Sequence, residues 1–557
     1  MNQKTHKSSR VFWIIVLSAA AFIIAGQAIA ALNRGINWDE FSHYDLIRRF
    51  DAGYLSNPLQ SFFVHYFRWL LFLPGDVTDH IRAARVVMLC CEIGAAVALF
   101  GVARRFASQS AAAMIALAYL SAGFVVNHGS SFRYDPQVTF VLMSALWLLS
   151  ASNLRPAAIV FFGMLAGLAP MITIKVVFYA PAFAAIAWLR LSESPRKASM
   201  MLRLLACLCT SFLVFAALYS WHSGFVTNTS VANGFNSAKS AGNDVFSGGF
   251  VPQARALMYQ AILSPLTTIL VLLTILGWRR LRVSQAMKVA MIGLMLPLLS
   301  VLVYRNSYEY FFVFLLPPVL AATAPVMEQF ILRHITFAKL SALMIVQSSI
   351  LALLTLPADY MILHGQKKTI SVAHDLFPET VTYFDFAGYL GDYQRALPFM
   401  MSGWGLKVYL RAGNVAFVNA MERETIPLLI LNHSVLKDAA KGTPDRQFLL
   451  PEDAAALREN YIEHWGRIWV AGRHIPAGSE TVMFNNRVPG WYTVEGAELA
   501  IDGVRYQRGE VIELSRGKHS VGAPRASDVT LRWGDHMEIP DESPPKAIPF
   551  SPLRFFP

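Results

Sequence analysis

Runs of about 20 mostly apolar residues, the length that crosses a bilayer, recur from residue 11 to residue 357 and commit that part of the chain to a helical membrane bundle. On this measure about eleven spans fall near 11–32, 83–103, 109–127, 136–152, 155–172, 174–190, 201–221, 258–278, 285–304, 309–331 and 337–357. The two between Arg155 and Arg190 share an apolar stretch interrupted by Pro170 and Lys175, which predicts a tight turn on the outer side. Lys4, Lys7 and Arg10 precede the first run as in a signal peptide. That run is long enough to span and lacks a small-residue cleavage site closing a short core, so a retained first helix is expected.

The charge distribution supports this topology independently. The net charge of +12 could mark a nucleic-acid binder, but the chain is 55% hydrophobic and only 15% charged, and much of its basic excess lies in short segments between apolar runs. With the N-terminus inside, the inner loops hold Arg104 and Arg105, then Arg155, then Arg190, Arg196, Lys197 and Arg203, then Arg279, Arg280 and Arg282, then Arg333 and Lys339. Every inner loop is basic, which is the bias that sets orientation in membranes. An odd number of spans puts the region from Ala358 onward outside. These features fit a bacterial inner membrane with a periplasmic C-terminal domain and no nucleic-acid partner. The four cysteines, Cys90, Cys91, Cys207 and Cys209, all lie in apolar runs, so the C-terminal region is not disulfide-braced.

The chain therefore divides into a membrane domain, 1–357, and a soluble C-terminal domain, 358–557. Leu450-Pro451-Glu452-Asp453 opens an expected helix running to about Trp465, with proline and acids at its start. Ile468-Trp469-Val470, Trp491-Tyr492-Thr493-Val494 and Val511-Ile512-Glu513-Leu514 read as strands, with turns at Ile501-Asp502-Gly503 and Arg516-Gly517-Lys518. The expectation is a mixed α/β domain ending in a small β-sandwich over about 468–540. Trp491, Tyr492 and Trp533 are either core aromatics or a platform for sugars.

Three outer loops carry the chemistry. The first, 33–82, holds the compact cluster Asp39-Glu40-x-x-His43-x-Asp45 and an aromatic segment, 62–72, suited to the membrane interface. An adjacent carboxylate pair there either marks a helix end or supplies a general base that takes the proton of an attacking hydroxyl. The second, 128–135, holds His128, Arg133 and Asp135 at the mouth of the fourth span. Arg133 is either a snorkelling interfacial residue or a fork of donors for phosphate. The third, 222–257, is rich in Gly, Ser and Asn and reads as a lid, a lipid gate or a plain linker. Lys175, inside an apolar run, is expected to face a polar cavity on a functional path. Arg305 lies at another outer mouth, as a site residue or as a partner of Glu309.

No phosphate-binding loop and no Gly-x-Gly-x-x-Gly following a strand is present, so no nucleotide cofactor is evident. An activated donor would then arrive as a lipid-linked phosphate. His43 with Asp39 offers too few ligands to establish a metal site, and use of a divalent ion stays open.

A first span followed by Asp-Glu with a nearby His and Tyr, then an Arg-x-Asp-Pro loop entering the fourth span, resembles the GT-C superfamily of membrane glycosyltransferases. The likeness is to bacterial relatives of protein O-mannosyltransferases and lipid A aminoarabinose transferases, over about residues 10–357. It implies an inverting transferase that uses a polyprenyl-phosphate sugar and an acceptor hydroxyl on an envelope glycan, lipid or protein, as in envelope polysaccharide biosynthesis. On that reading Asp39 is the base, Glu40 assists, and Asp135 supports the site. Arg133 and Lys175 hold the lipid phosphate, with His43 and Arg305 as further substrate contacts. A transporter or flippase of lipid-linked glycan is the competing reading. It would show repeats and broken helices in two matching halves, and no internal repeat is visible. A third reading makes the bundle an anchor for a C-terminal binding module.

Overall fold

The computed structural model describes residues 2–227, 249–400, 403–442, 448–478, 481–522 and 527–552. Among them, seven helices are long and apolar enough to cross a membrane, or eight if the bent pair Ala254–Leu263 and Pro265–Leu276 is one span. The chain is a multi-pass membrane protein with a strand-containing C-terminal region. Three expected spans fall outside that set: 109–127 is split into Gln109–Leu120 and Gly123–His128, Pro156–Ile172 stands for 155–172 and is short, and Tyr134–Ala151 stands for 136–152 with polar residues in its first turn.

The expected span 258–278 bends by 101° at Ser264. Pro265 disfavours helical geometry in the residue before it, and Ser264 sits at φ −134°, ψ 59°. Its hydroxyl accepts from the Gly123 amide at 2.7 Å, satisfying a donor at the start of the Gly123–His128 helix. The tight turn is present: Thr173 is extended, and Ile174–Tyr179 forms a 3₁₀ turn that carries Lys175.

Burial follows the apolar pattern. Phe311–His334 is 94% buried over its apolar window, as a helix hydrophobic on all sides must be at the centre of a bundle. Lys197–Ser223 is 6% buried and turns Leu202, Leu208 and Phe212 outward, where lipid would lie. The last span does not stop near 357. One helix, Phe337–Leu376, runs through Pro357 and buries Ile362, Gln366, Thr369, Ile370 and Ala373 past the expected end.

Beyond that helix, Thr382–Phe384, Gln394–Arg395 and Leu428–Ile430 pair in parallel. They join an antiparallel set through Ile468–Ile475, giving an eight-stranded mixed sheet, with a separate four-stranded sheet beside it in the chain. Strands thus begin well before 468. The expected helix to Trp465 ends at Asn460, and Tyr461–Trp465 is a strand paired with Ile468–Ile475. Aromatic and branched residues favour the strand there, and Gly466 at φ +57° closes the turn. The Asp502-Gly503 turn forms as expected, both residues at positive φ.

Two apolar cores result. One fills the membrane bundle. The other joins Ile36, Phe41, Tyr44 and Ile47 of the first outer loop to Leu428, Ile430, Val470 and Phe550 of the C-terminal region. The first loop therefore shares a core with the C-terminal region, and Tyr134 packs against both cores.

Candidate active site

The site is built on the start of the helix Trp38–Asp51. Asn37 caps it: its Oδ1 accepts from the Asp39 amide at 2.9 Å, while the Asn37 amide donates to Glu40 Oε2 at 3.1 Å. This reciprocal box fits an Asn-x-x-Glu sequence and fixes the direction of both acids.

Glu40 is fully engaged. Arg85 donates Nε to Oε1 at 2.7 Å and Nη2 to Oε2 at 2.5 Å, and the Phe132 amide adds a bond to Oε1 at 2.9 Å. Arg85 also donates to the carbonyls of Ala31, Arg34 and Gly35. Burial opposes ionisation of Glu40, but the charge and hydrogen bonds of Arg85, then Arg34 and the Phe132 amide, bring its pKa down to about 2. The folded value lies below the ordinary 4.5, so this stabilisation is full above pH 4.5 and is lost as pH falls toward 2. Unfolding midpoints in detergent should therefore drop across that acid window, and Glu40→Gln should flatten the drop. An equally steep fall in the Gln variant would remove Glu40 as its source.

Asp39 is different. Its side chain keeps 25% of its exposure and pairs with Arg133 Nη1. Arg133 Nε lies 3.7 Å from Asp135 Oδ2, and Lys175 Nζ donates to Asp135 Oδ1 at 2.6 Å. The Arg133 guanidinium stacks 3.6 Å from the Tyr310 ring centre, with Lys175 Nζ 5.0 Å from the same ring. The four groups form an alternating chain, Asp39–Arg133–Asp135–Lys175, nearly all of it buried except at Asp39. Burial works against the charge on Arg133, yet Asp39 and Asp135 outweigh it and raise its pKa above the ordinary value. Asp135 Oδ2 has no hydrogen-bond partner among the described residues.

His43 lies one turn along the helix. Nδ1 donates to the Asp39 carbonyl at 2.5 Å, and the ring packs at a tilt of 54° with its centre 4.3 Å from that of Tyr134. Burial, with Arg133 adding to it, pushes the imidazole down to about 4 although the Asp39 carbonyl pulls the other way. The ring is then neutral at neutral pH. Its Nε2 finds no partner among the described residues and can accept a hydrogen bond.

The structure thus gathers Asp39, Glu40, His43, Arg133, Asp135 and Lys175. Arg305 stays outside the ion-pair chain: it is half-buried, and its carbonyl accepts from Gln253 at 3.1 Å. Glu309 instead faces His128, 3.6 Å away. Asp45 turns to the outer domain, bonding Arg49 and Arg395. Much of the third loop, 228–248, lies outside the described residues. Among the described residues no group of three or more His, Cys, Asp or Glu is arranged to hold a metal ion. Sequence reasoning missed Arg85, although the argument applied to Lys175, a charge inside an apolar run, would have found it. A cavity of about 180 Å³ is lined by Glu40 and Arg133 together with Arg34, His128, Glu309, Asp359 and Ser551.

No protein-family model matches the chain, and no curated protein matches it in sequence. Solved structures do match in fold. The apo oligosaccharyltransferase of Archaeoglobus fulgidus is 11% identical, with a TM-score of 0.50 over 92% of this chain and 94% of that one. The oligosaccharyltransferase AglB of the same organism, in complex with an inhibitory peptide and a dolichol-phosphate, is 12% identical with a TM-score of 0.47, covering 92% and 76%. ArnT from Cupriavidus metallidurans, bound to undecaprenyl phosphate, is 14% identical with a TM-score of 0.43, covering 74% and 81%. At such identities the likeness is one of fold alone.

Proposed function

We propose that this chain is an inverting glycosyltransferase that moves a sugar from a polyprenyl-phosphate donor to a hydroxyl of an envelope glycan, lipid or protein. The observation that carries this reading is the chain Asp39–Arg133–Asp135–Lys175, which ends in a partly exposed carboxylate at the membrane mouth. Burying two cations and two acids is costly. Such an arrangement is worth its cost where an anionic substrate docks and a proton must be removed. The order of the loaded loops, which resembles the GT-C pattern, and the fold shared with a solved oligosaccharyltransferase support the same class.

Arg133 is the pivot. Before donor binds it neutralises Asp39. A lipid phosphate entering beside Arg133 and Lys175 competes for the guanidinium and releases Asp39 to act as base. The acceptor oxygen then forms its bond to the anomeric carbon as the bond from that carbon to the phosphate oxygen breaks. The electron pair leaves with polyprenyl phosphate, and the acceptor proton passes to Asp39. Arg133 and Lys175 stabilise the charge that grows on the leaving phosphate. Glu40 takes no proton. It holds the turn that aims Asp39, Asp135 orients the two cations, and His43 offers Nε2 as acceptor to a neighbouring, non-reacting hydroxyl of the substrate. Arg305 lines the approach rather than the reacting centre. In this topology about eleven crossings, counting the shorter helices, put the N-terminus in the cytoplasm of a bacterial inner membrane and the domain from 358 onward in the periplasm.

The test uses purified full-length protein in vesicles with a short polyprenyl-phosphate sugar, labelled in the sugar, and envelope extract as acceptor. Transfer releases one polyprenyl phosphate per labelled acceptor. Movement of label across the bilayer while still joined to lipid would instead identify a transporter.

A further inference from the structure

We infer that residues 544–552 form a strap that positions Asp39, with Asn37 as the residue that transmits the contact. The inference rests on the transferase reading for its activity readout only. Asn37 uses both ends of its side-chain amide: Oδ1 accepts from the Asp39 amide at 2.9 Å, and Nδ2 donates to the Ser551 carbonyl at 2.6 Å. One side chain therefore joins the strap to the backbone of the candidate base. The junction is doubled, because the Ser551 amide donates to the Ile36 carbonyl at 3.0 Å.

Further contacts hold the strap. Ser551 Oγ donates to Asp359 Oδ1 at 2.7 Å. Gln366 Nε2 bridges the carbonyls of Ile36, at 2.7 Å, and Pro549, at 2.9 Å, while its Oε1 accepts from the Ile36 amide. Phe550 is 5% exposed and wedges among Trp38, Phe41 and Tyr389, with ring centres 5.6–6.2 Å away. Trp38 and Phe41 flank the acidic pair in sequence, so the wedge fixes the first turn of the helix that carries it.

The strap also walls the cavity beside Glu40 and Arg133 through Ile548, Ser551 and Pro552. Upstream it is tied to the outer domain, where Trp465 donates to the Glu542 carbonyl at 2.7 Å. Docking of the outer domain is thereby felt at Asp39. An unclamped first turn would let the carboxylate wander from its line to the acceptor hydroxyl, and small misplacements of a base carry large rate costs.

Two variants test this. Phe550→Ala removes the wedge. Asn37→Ser keeps a good helix cap but removes the donor to Ser551. Each should lower kcat about tenfold or more while donor KM stays within about twofold, because the base and not the phosphate site is disturbed. Hydrogen–deuterium exchange at amides 38–41 should quicken in both, and Phe550→Leu should restore both readouts. Unchanged exchange at 38–41 in a folded Asn37→Ser protein overturns the strap, as does a loss confined to KM. Asp39→Asn is measured alongside: if it is fully active the base assignment fails, and the exchange data alone then decide the strap.

Discussion

Arg85→Met should lower the stability of the folded chain by about 3–5 kcal/mol, the cost of stranding one member of a buried ion pair. Arg85 is fully buried and Glu40 is 1% exposed, so water cannot take over the lost bonds. The variant also frees the carbonyls of Ala31, Arg34 and Gly35, which end the first helix. The double variant Glu40→Gln/Arg85→Met should recover part of the loss, since a neutral amide leaves no stranded charge and its one oxygen still accepts from either the Asn37 or the Phe132 amide. Thermal unfolding in detergent, followed by circular dichroism, reads both. A melt like that of the wild type in Arg85→Met would mean that the pair adds nothing to stability.

The second large effect is on turnover. Asp39→Asn should cut kcat by about 10²–10⁴-fold, the usual contribution of a positioned general base. The replacement has the same shape, and the cap uses the Asp39 backbone, so the helix start should survive. Donor KM should not rise, because Arg133 loses its competing carboxylate and stays available to phosphate. Turnover in vesicles containing labelled donor checks the split. A variant that loses donor affinity but keeps kcat would show Asp39 to be a binding residue.

Much of the bundle was legible because bilayer thickness and loop charge act on composition alone, and the turn between Ile172 and Ala180 announced itself by Pro170 and Lys175. The bend at Ser264 was not legible, since Pro265 is also welcome in the first turn of a helix. Nor was the passage of Phe337–Leu376 through Pro357 and past the expected end, where an apolar span becomes an amphipathic helix with no break in chain direction. In the site, residue type and side of the membrane placed Asp39, Arg133, Asp135 and Lys175 near one another, but not the order of their pairing. Only the resemblance to the GT-C pattern tells Asp39 and Glu40 apart in sequence. They differ because Glu40 faces Arg85 inside and Asp39 faces the mouth. The contact of Asn37 with Ser551 spans 514 positions, and no local pattern signals it.

The measurement that bears most directly on the central claim is mass spectrometry of envelope glycans from three strains of the native host. One carries the wild-type gene, one a deletion, and one Asp39→Asn at normal expression. The account predicts one sugar mass missing from the same glycan, lipid or protein in both the deletion and the Asp39→Asn strain, which would also name the sugar and its acceptor. A defect in the deletion with wild-type glycans in Asp39→Asn would contradict it and bring transport of a lipid-linked glycan to the front.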